Sequence, residues 1–96
     1  MEYRRFGNTI YLRLDPKEEI LEEIGKVAGK ENIRLAQVTG LGAINDFTAG
    51  VYNTVTKEYH SLRFQGAFEI VSLTGTVTRK DGDVYLHLHI AAGDEE

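Results

Sequence analysis

His87 and His89 stand one residue apart in the run Val84-Tyr85-Leu86-His87-Leu88-His89-Ile90. Side chains of an extended strand alternate between its two faces, so residues two apart share a side. Val84, Leu86, Leu88 and Ile90 then form an apolar face suited to a core, and Tyr85, His87 and His89 form the other. Two imidazoles at that spacing, with Cα atoms about 6.5–7 Å apart, can converge on one metal ion, bind an anion or line a cleft. Zinc or another divalent metal would need three or four ligands, or two with waters and a neighbour's residues. His60, on a strand expected over 57–64, is the candidate third ligand. Glu69 and Asp94 are the candidate carboxylates, as ligands or as acceptors that orient an imidazole. The same pair could equally be hydrogen-bonded histidines lining a subunit interface. No nucleophile constellation accompanies them. Ser61 and Ser72 lack a glycine-elbow context and there is no cysteine. The residues therefore favour binding over catalysis. A water activated by metal on His87 and His89 is the one chemistry they could support.

Ninety-six residues make one domain, with a small stability margin that oligomerisation would help. The absence of cysteine excludes disulfides and thiolate metal sites and fits a reducing cytosol, so a cytoplasmic location is expected. The amino terminus shows no signal-peptide pattern, and no run is apolar enough to span a membrane. Eleven basic residues face fifteen acidic ones, for a net charge of −4, and the pI is near 5.3. Such a chain lacks the global basic footprint of a nucleic-acid binder. A local patch remains open, with Arg4, Arg5 and Arg13 as its candidates on two neighbouring strands. Otherwise these arginines are solvated strand faces.

The pattern around these residues predicts the elements that hold them. Strands are expected over 3–7 and 9–14, joined by a tight turn at Phe6-Gly7-Asn8-Thr9. Asp15-Pro16-Lys17-Glu18 reads as a helix start, with Asp15 as cap, Pro16 in the first turn and Glu18 as capping-box partner. Ile20, Leu21, Ile24, Val27 and Ala28 then form one apolar stripe. Glu18, Glu19, Glu22 and Glu23 read as a solvated acidic face, and Gly29 as the left-handed helix end. A strand over 33–38 is interrupted by Thr39-Gly40-Leu41-Gly42, which suggests a bulge. Further strands are expected over 44–53, 58–64 and 68–78, with a turn at Asn53-Thr54-Val55-Thr56 and a hairpin turn at Lys80-Asp81-Gly82-Asp83. The 68–78 strand is apolar on both faces, Val71, Leu73 and Val77 on one and Phe68 and Ile70 on the other. One helix can cover only one face, which argues for a second subunit.

Asp15-Pro16 with its amphipathic helix, Val38-Thr39-Gly40-Leu41-Gly42-Ala43, Gly66 to Gly75, and His87-Leu88-His89 followed by Asp94 together resemble the plants-and-prokaryotes conserved (PPC) domain. The resemblance runs over nearly the whole chain in the right order. It implies an α+β fold, mostly antiparallel sheet with an amphipathic helix packed on it, assembling as a homotrimer with a binding or regulatory role. It also implies DNA as a partner. In plant members the DNA contact comes from an accompanying AT-hook, an Arg-Gly-Arg-Pro element that this chain lacks. The segment matching Gly66, Phe68, Glu69 and Ile70 is implied in self-association and partner contact. Ala67 stands where the plant signature has arginine. Family members continue past the residue matching Asp94 into a Gly-Gly-His segment and further strands. Residues 1–96 are thus expected as a single PPC-like domain without those C-terminal strands and without the family's third histidine.

Overall fold

The computed structural model describes residues 1–96. In chain order the elements are β1 (Glu2–Phe6), β2 (Thr9–Arg13), α1 (Ile20–Lys30), β3 (Ala36–Asn53), β4 (Glu58–Lys80) and β5 (Asp83–Gly93). β1 and β2 form a two-stranded antiparallel sheet, and β3, β4 and β5 form a second sheet in that order. The connections within the second sheet are short turns, which only antiparallel neighbours permit. The expected class, mostly antiparallel sheet with one helix packed on it, is the one observed. The chain groups into two compact units. One holds residues 1–36 and 76–87, the other residues 37–75 and 88–96.

In the first unit, Phe6 pairs with Thr9 across the two-residue turn Gly7-Asn8, with Gly7 at φ 60°. A glycine at the first central position with positive φ matches the strand twist of a tight hairpin. The helix begins later than its sequence suggests. Asp15-Pro16-Lys17-Glu18 is a β-turn, closed by the Glu18 N–H donating to the Asp15 carbonyl at 3.2 Å, with Lys17 at φ 75°. Proline followed by a positive φ is the type II pattern, and the left-handed Lys17 cannot lie inside a helix. The carboxylate of Glu18 does accept the Asp15 backbone N–H, at 2.6 Å, so half of the expected capping box forms around a turn instead. Both acids also take the Met1 ammonium, whose hydrogen bonds hold the Asp15 and Glu18 carboxyls below their ordinary range. Glu19 is the actual cap and accepts from the Glu22 N–H.

The helix runs past Gly29 to Lys30, with Glu31 as its cap and Asn32 as the left-handed residue that follows. Asn32 takes φ 53°, its N–H reaches the Gly29 carbonyl, and the Ile33 N–H reaches the Ala28 carbonyl at 2.8 Å. That pair of bonds is a Schellman cap, and asparagine is the residue after glycine that best tolerates it. Val27 and Ala28 are buried as the stripe predicts, whereas Leu21 is largely exposed. Glu23 is the correction on this helix: it is only 7% exposed. Positions 20, 23, 24 and 27 share a face, so the stripe includes it. Lys26 keeps the buried carboxylate paired at 3.2 Å. Arg79 ties the helix end to the β4–β5 turn, donating to the carbonyls of Ile33, Ala28 and Gly82 at 2.9, 3.4 and 3.3 Å. That turn is the expected one, with Asp81 at φ 54° and Gly82 at φ 87°, the signature of a type I′ hairpin.

In the second unit, β3 and β4 run on through the points where the sequence suggests breaks. Gly42 inside β3 and Gly66 inside β4 sit at φ 146° and 147°. Glycine takes this conformation without a Cβ penalty, so the ladder continues where another residue would end it. The turn between these strands is organised by Asn53, whose side chain accepts from the Val55 and Thr56 N–H groups at 2.9 and 3.1 Å. Ile70 and Leu73 are buried, and Phe47, Phe64 and Phe68 form a ring cluster with centres 5.3–6.4 Å apart. Val71, which strict alternation puts on one face with Leu73, is 72% exposed. Burial switches from an even to an odd position between Ile70 and Leu73, with Val71 and Ser72 both in solvent.

Candidate functional site

Burial along β5 alternates as its sequence predicts. Val84, Leu86, Leu88 and Ile90 are half-buried, while Tyr85, His87 and His89 are exposed. The type I′ turn sets this phase, because it fixes which residue of β5 first faces inward. His87 and His89 thus occupy neighbouring same-side positions of one strand, and that strand has a neighbour, β4, on one side only.

Each of the other candidate residues has its own setting. His60 is the third residue of β4, just after the β3–β4 turn, whereas β5 follows the opposite end of that 23-residue strand. The carboxylate of Glu58 lies 3.5 Å from it on the same strand. Asp94 lies just beyond β5 and accepts the Glu96 backbone N–H at 3.0 Å. Glu69 is exposed on β4. The two arginines of the same strand are engaged by other groups. Arg63 forms a two-bond pair with Asp46, at 2.9 and 2.6 Å, and Arg79 is held by carbonyls. Nowhere do three His, Asp or Glu side chains of one chain gather closely enough to hold a metal ion.

The Gly66–Ile70 segment divides by parity. Phe68 enters the ring cluster and Ile70 is buried, so both are occupied by their own unit. Ala67 and Glu69 face solvent. Near the start of β4 the two long strands come unusually close. A Cβ on Gly50 would collide with the His60 carbonyl and lie 2.7 Å from the Tyr59 ring. No side chain other than glycine's hydrogen fits there without movement.

The three hairpin arginines do not form one patch. The register pairs Glu2 with Arg13, Arg4 with Tyr11 and Arg5 with Ile10. Directly opposed residues share a face, and the next pair takes the other. Arg4 and Arg13 therefore lie on the outer face, with Glu2, Phe6, Thr9 and Tyr11. Arg5 lies on the inner face with Tyr3, Ile10 and Leu12. There Arg5 meets the Glu31 carboxylate at 3.2 Å, and the Tyr3 hydroxyl donates to the same group at 3.1 Å. Arg13 lies 3.5 Å from both Glu2 and Asp15. The sequence could not show this division, because it depends on a register set by a two-residue turn. The exposed aromatic pair beside Arg4 was missed for the same reason.

Solved structures of similar fold exist. A candidate DNA-binding protein from Bacteroides thetaiotaomicron is 31% identical, with a TM-score of 0.93 over 98% of this chain and 66% of its own. A plant- and prokaryote-conserved protein from Pyrococcus horikoshii is 33% identical, with a TM-score of 0.82 over 88% of this chain and 59% of its own. A metal-containing protein from Archaeoglobus fulgidus is 31% identical, with a TM-score of 0.83 over 88% of this chain and 61% of its own. The chain thus spans 59–66% of the length of these three relatives. Among curated proteins, no relative matches it. No helix is long and apolar enough to cross a membrane. The model of the Plants and Prokaryotes Conserved (PCC, equally PPC) domain matches residues 1–96, and the chain belongs to that family.

Proposed function

We propose that the chain is a homotrimeric binding and regulatory domain that engages DNA. One observation carries the reading: the second unit leaves large apolar side chains in water. Leu41 is 91% and Val55 88% exposed, and Val51, Tyr59, Leu62 and Val71 are each more than half exposed. All six belong to β3, β4 or the turn between them. Burying a side chain of this kind stabilises by roughly 1.5–3 kcal/mol, and a concentration of them marks an interaction surface. The partner always available is another copy of the chain. The number three comes from the family resemblance, and Glu69, exposed on β4, is its candidate contact. DNA comes from the Bacteroides relative. A net charge of −4 makes one chain a poor polyanion ligand. Three copies acting together would multiply a weak contact through effective concentration.

Light scattering tests the assembly. The expected mass is three times the 10.8 kDa of the chain, and a monomer at micromolar concentration overturns it. Anisotropy with a labelled duplex at about 50 and 200 mM salt tests the DNA contact, whose affinity must fall as salt rises. Absence of binding at the lower salt removes it.

The histidine strand supports a second reading, a metal or small-ligand site. His87 and His89 share a side of β5, and the Archaeoglobus relative is a metal-containing protein. Zinc or another divalent ion there would need a further ligand from water or a neighbouring copy. Metal analysis of purified protein beside a His87→Ala/His89→Ala variant decides it. Metal lost in the variant supports the site, and unchanged content overturns it.

A further inference from the structure

The outer face of the β1–β2 hairpin is a surface that the first unit's own packing leaves unused. Phe6 is 60% and Tyr11 69% exposed, with their rings edge to face at 6.1 Å and 73°. Arg4 lies directly across from Tyr11, and Arg13 is two residues along the same strand and side. The face borders a shallow cavity of about 290 Å³ lined by Glu2, Arg4, Phe6, Tyr11 and Arg13 among others. Aromatic rings standing in water beside guanidinium groups suit one kind of ligand closely. A single nucleic-acid strand offers unstacked bases to the rings and phosphates to the arginines.

We propose that this face binds single-stranded DNA, with bases stacked on Phe6 and Tyr11 and phosphates held by Arg4 and Arg13. The inference rests on the DNA reading above and deepens it by naming the strand form and the residues. A duplex fits less well. Its bases are already stacked on one another, and the edges it presents in the major groove are read chiefly by hydrogen-bonding side chains, which Phe6 is not. Charge favours a polyanion over another copy of the same face, since the two nearby carboxylates, Glu2 and Asp15, both lie against Arg13 and leave the Arg4 guanidinium to a phosphate. The contacts of Arg13 with Glu2 and Asp15, both at 3.5 Å between exposed groups, are weak enough for a phosphate to replace. Arg5 is excluded, because it faces inward and holds Glu31.

The test uses the full chain and a labelled oligothymidylate of about 12 nucleotides, within the site sizes of such surfaces. A duplex of the same length serves as comparison. The wild-type chain binds the single strand more tightly than the duplex. Phe6→Ala/Tyr11→Ala weakens single-strand binding at least about ten-fold at unchanged oligomeric mass, while Tyr11→Phe, which keeps the ring, does not. Arg4→Ala makes the dependence of log K on log salt shallower by about 0.7, the value of one phosphate contact on a single strand. Single-strand binding untouched in the Phe6→Ala/Tyr11→Ala variant overturns the proposal. If duplex binding persists alongside that result, the broader DNA reading survives. Binding of neither form by the wild-type chain removes both. A fall in oligomeric mass in the variant without loss of single-strand affinity assigns the face to a second copy and overturns the proposal as well.

Discussion

The guanidinium of Arg63 grips the carboxylate of Asp46 by two bonds, 2.9 and 2.6 Å long, between β4 and β3. Those bonds hold the Asp46 carboxyl below its ordinary range. A depressed carboxyl contributes stability that is fully present above its unfolded pKa and is lost as pH falls through the lower folded value. The expected outcome is that Asp46 titrates in acid, below an ordinary aspartate, and returns toward the ordinary value in Arg63→Ala. Side-chain carboxyl NMR across an acid titration checks it. The same pair shows what a residue list conceals. Arg63 could be named as a partner for Glu69 from charge alone, but which carboxylate lies across from it depends on strand register. His87 and His89 were readable because alternation within one strand needs no register with another. Glu23 escapes a reading by charge because Glu18, Glu19, Glu22 and Glu23 look like one solvated face until the stripe through Ile20, Ile24 and Val27 is drawn around the helix.

Among the elements, turns carried the clearest sequence signals. Gly7-Asn8 and Asp81-Gly82 close their hairpins as their residues predict, because each motif favours one backbone geometry. The Asp15-Pro16 signal was ambiguous for a physical reason: proline with an acidic cap suits both a helix start and a type II turn. The left-handed Lys17 settles it as the latter. The sequence suggests a bulge at Gly42 and a gap between strands around Gly66, yet positive φ at a glycine lets the ladder continue. Gly50 went unremarked, since close approach of β4 leaves no trace in local sequence. Its replacement is a sharp test. Gly50→Ala forces a methyl group against the His60 carbonyl and the Tyr59 ring, and overpacking of this kind costs about 1–3 kcal/mol. Urea unfolding is expected to show that loss, and a midpoint equal to wild type would mean that the strands part easily at this point.

For the molecule as a whole, the proposed assembly would cover the apolar side chains left in water on β3 and β4, and stability would then depend on association. The thermal midpoint is therefore expected to rise with protein concentration, since assembly favours the folded state by mass action. A charge placed in that surface, Val51→Glu or Leu62→Glu, is expected to lower the mass seen by light scattering and to abolish that dependence. A midpoint independent of concentration would mean that each chain stands alone. β5 carries a further consequence. With β4 on one side and nothing of the second sheet on the other, every second backbone amide points away from the ladder. In deuterated water, exchange should flicker between slow and fast from one residue to the next through Asp83–Gly93. Any strand laid along that margin would turn the flicker into uniform protection.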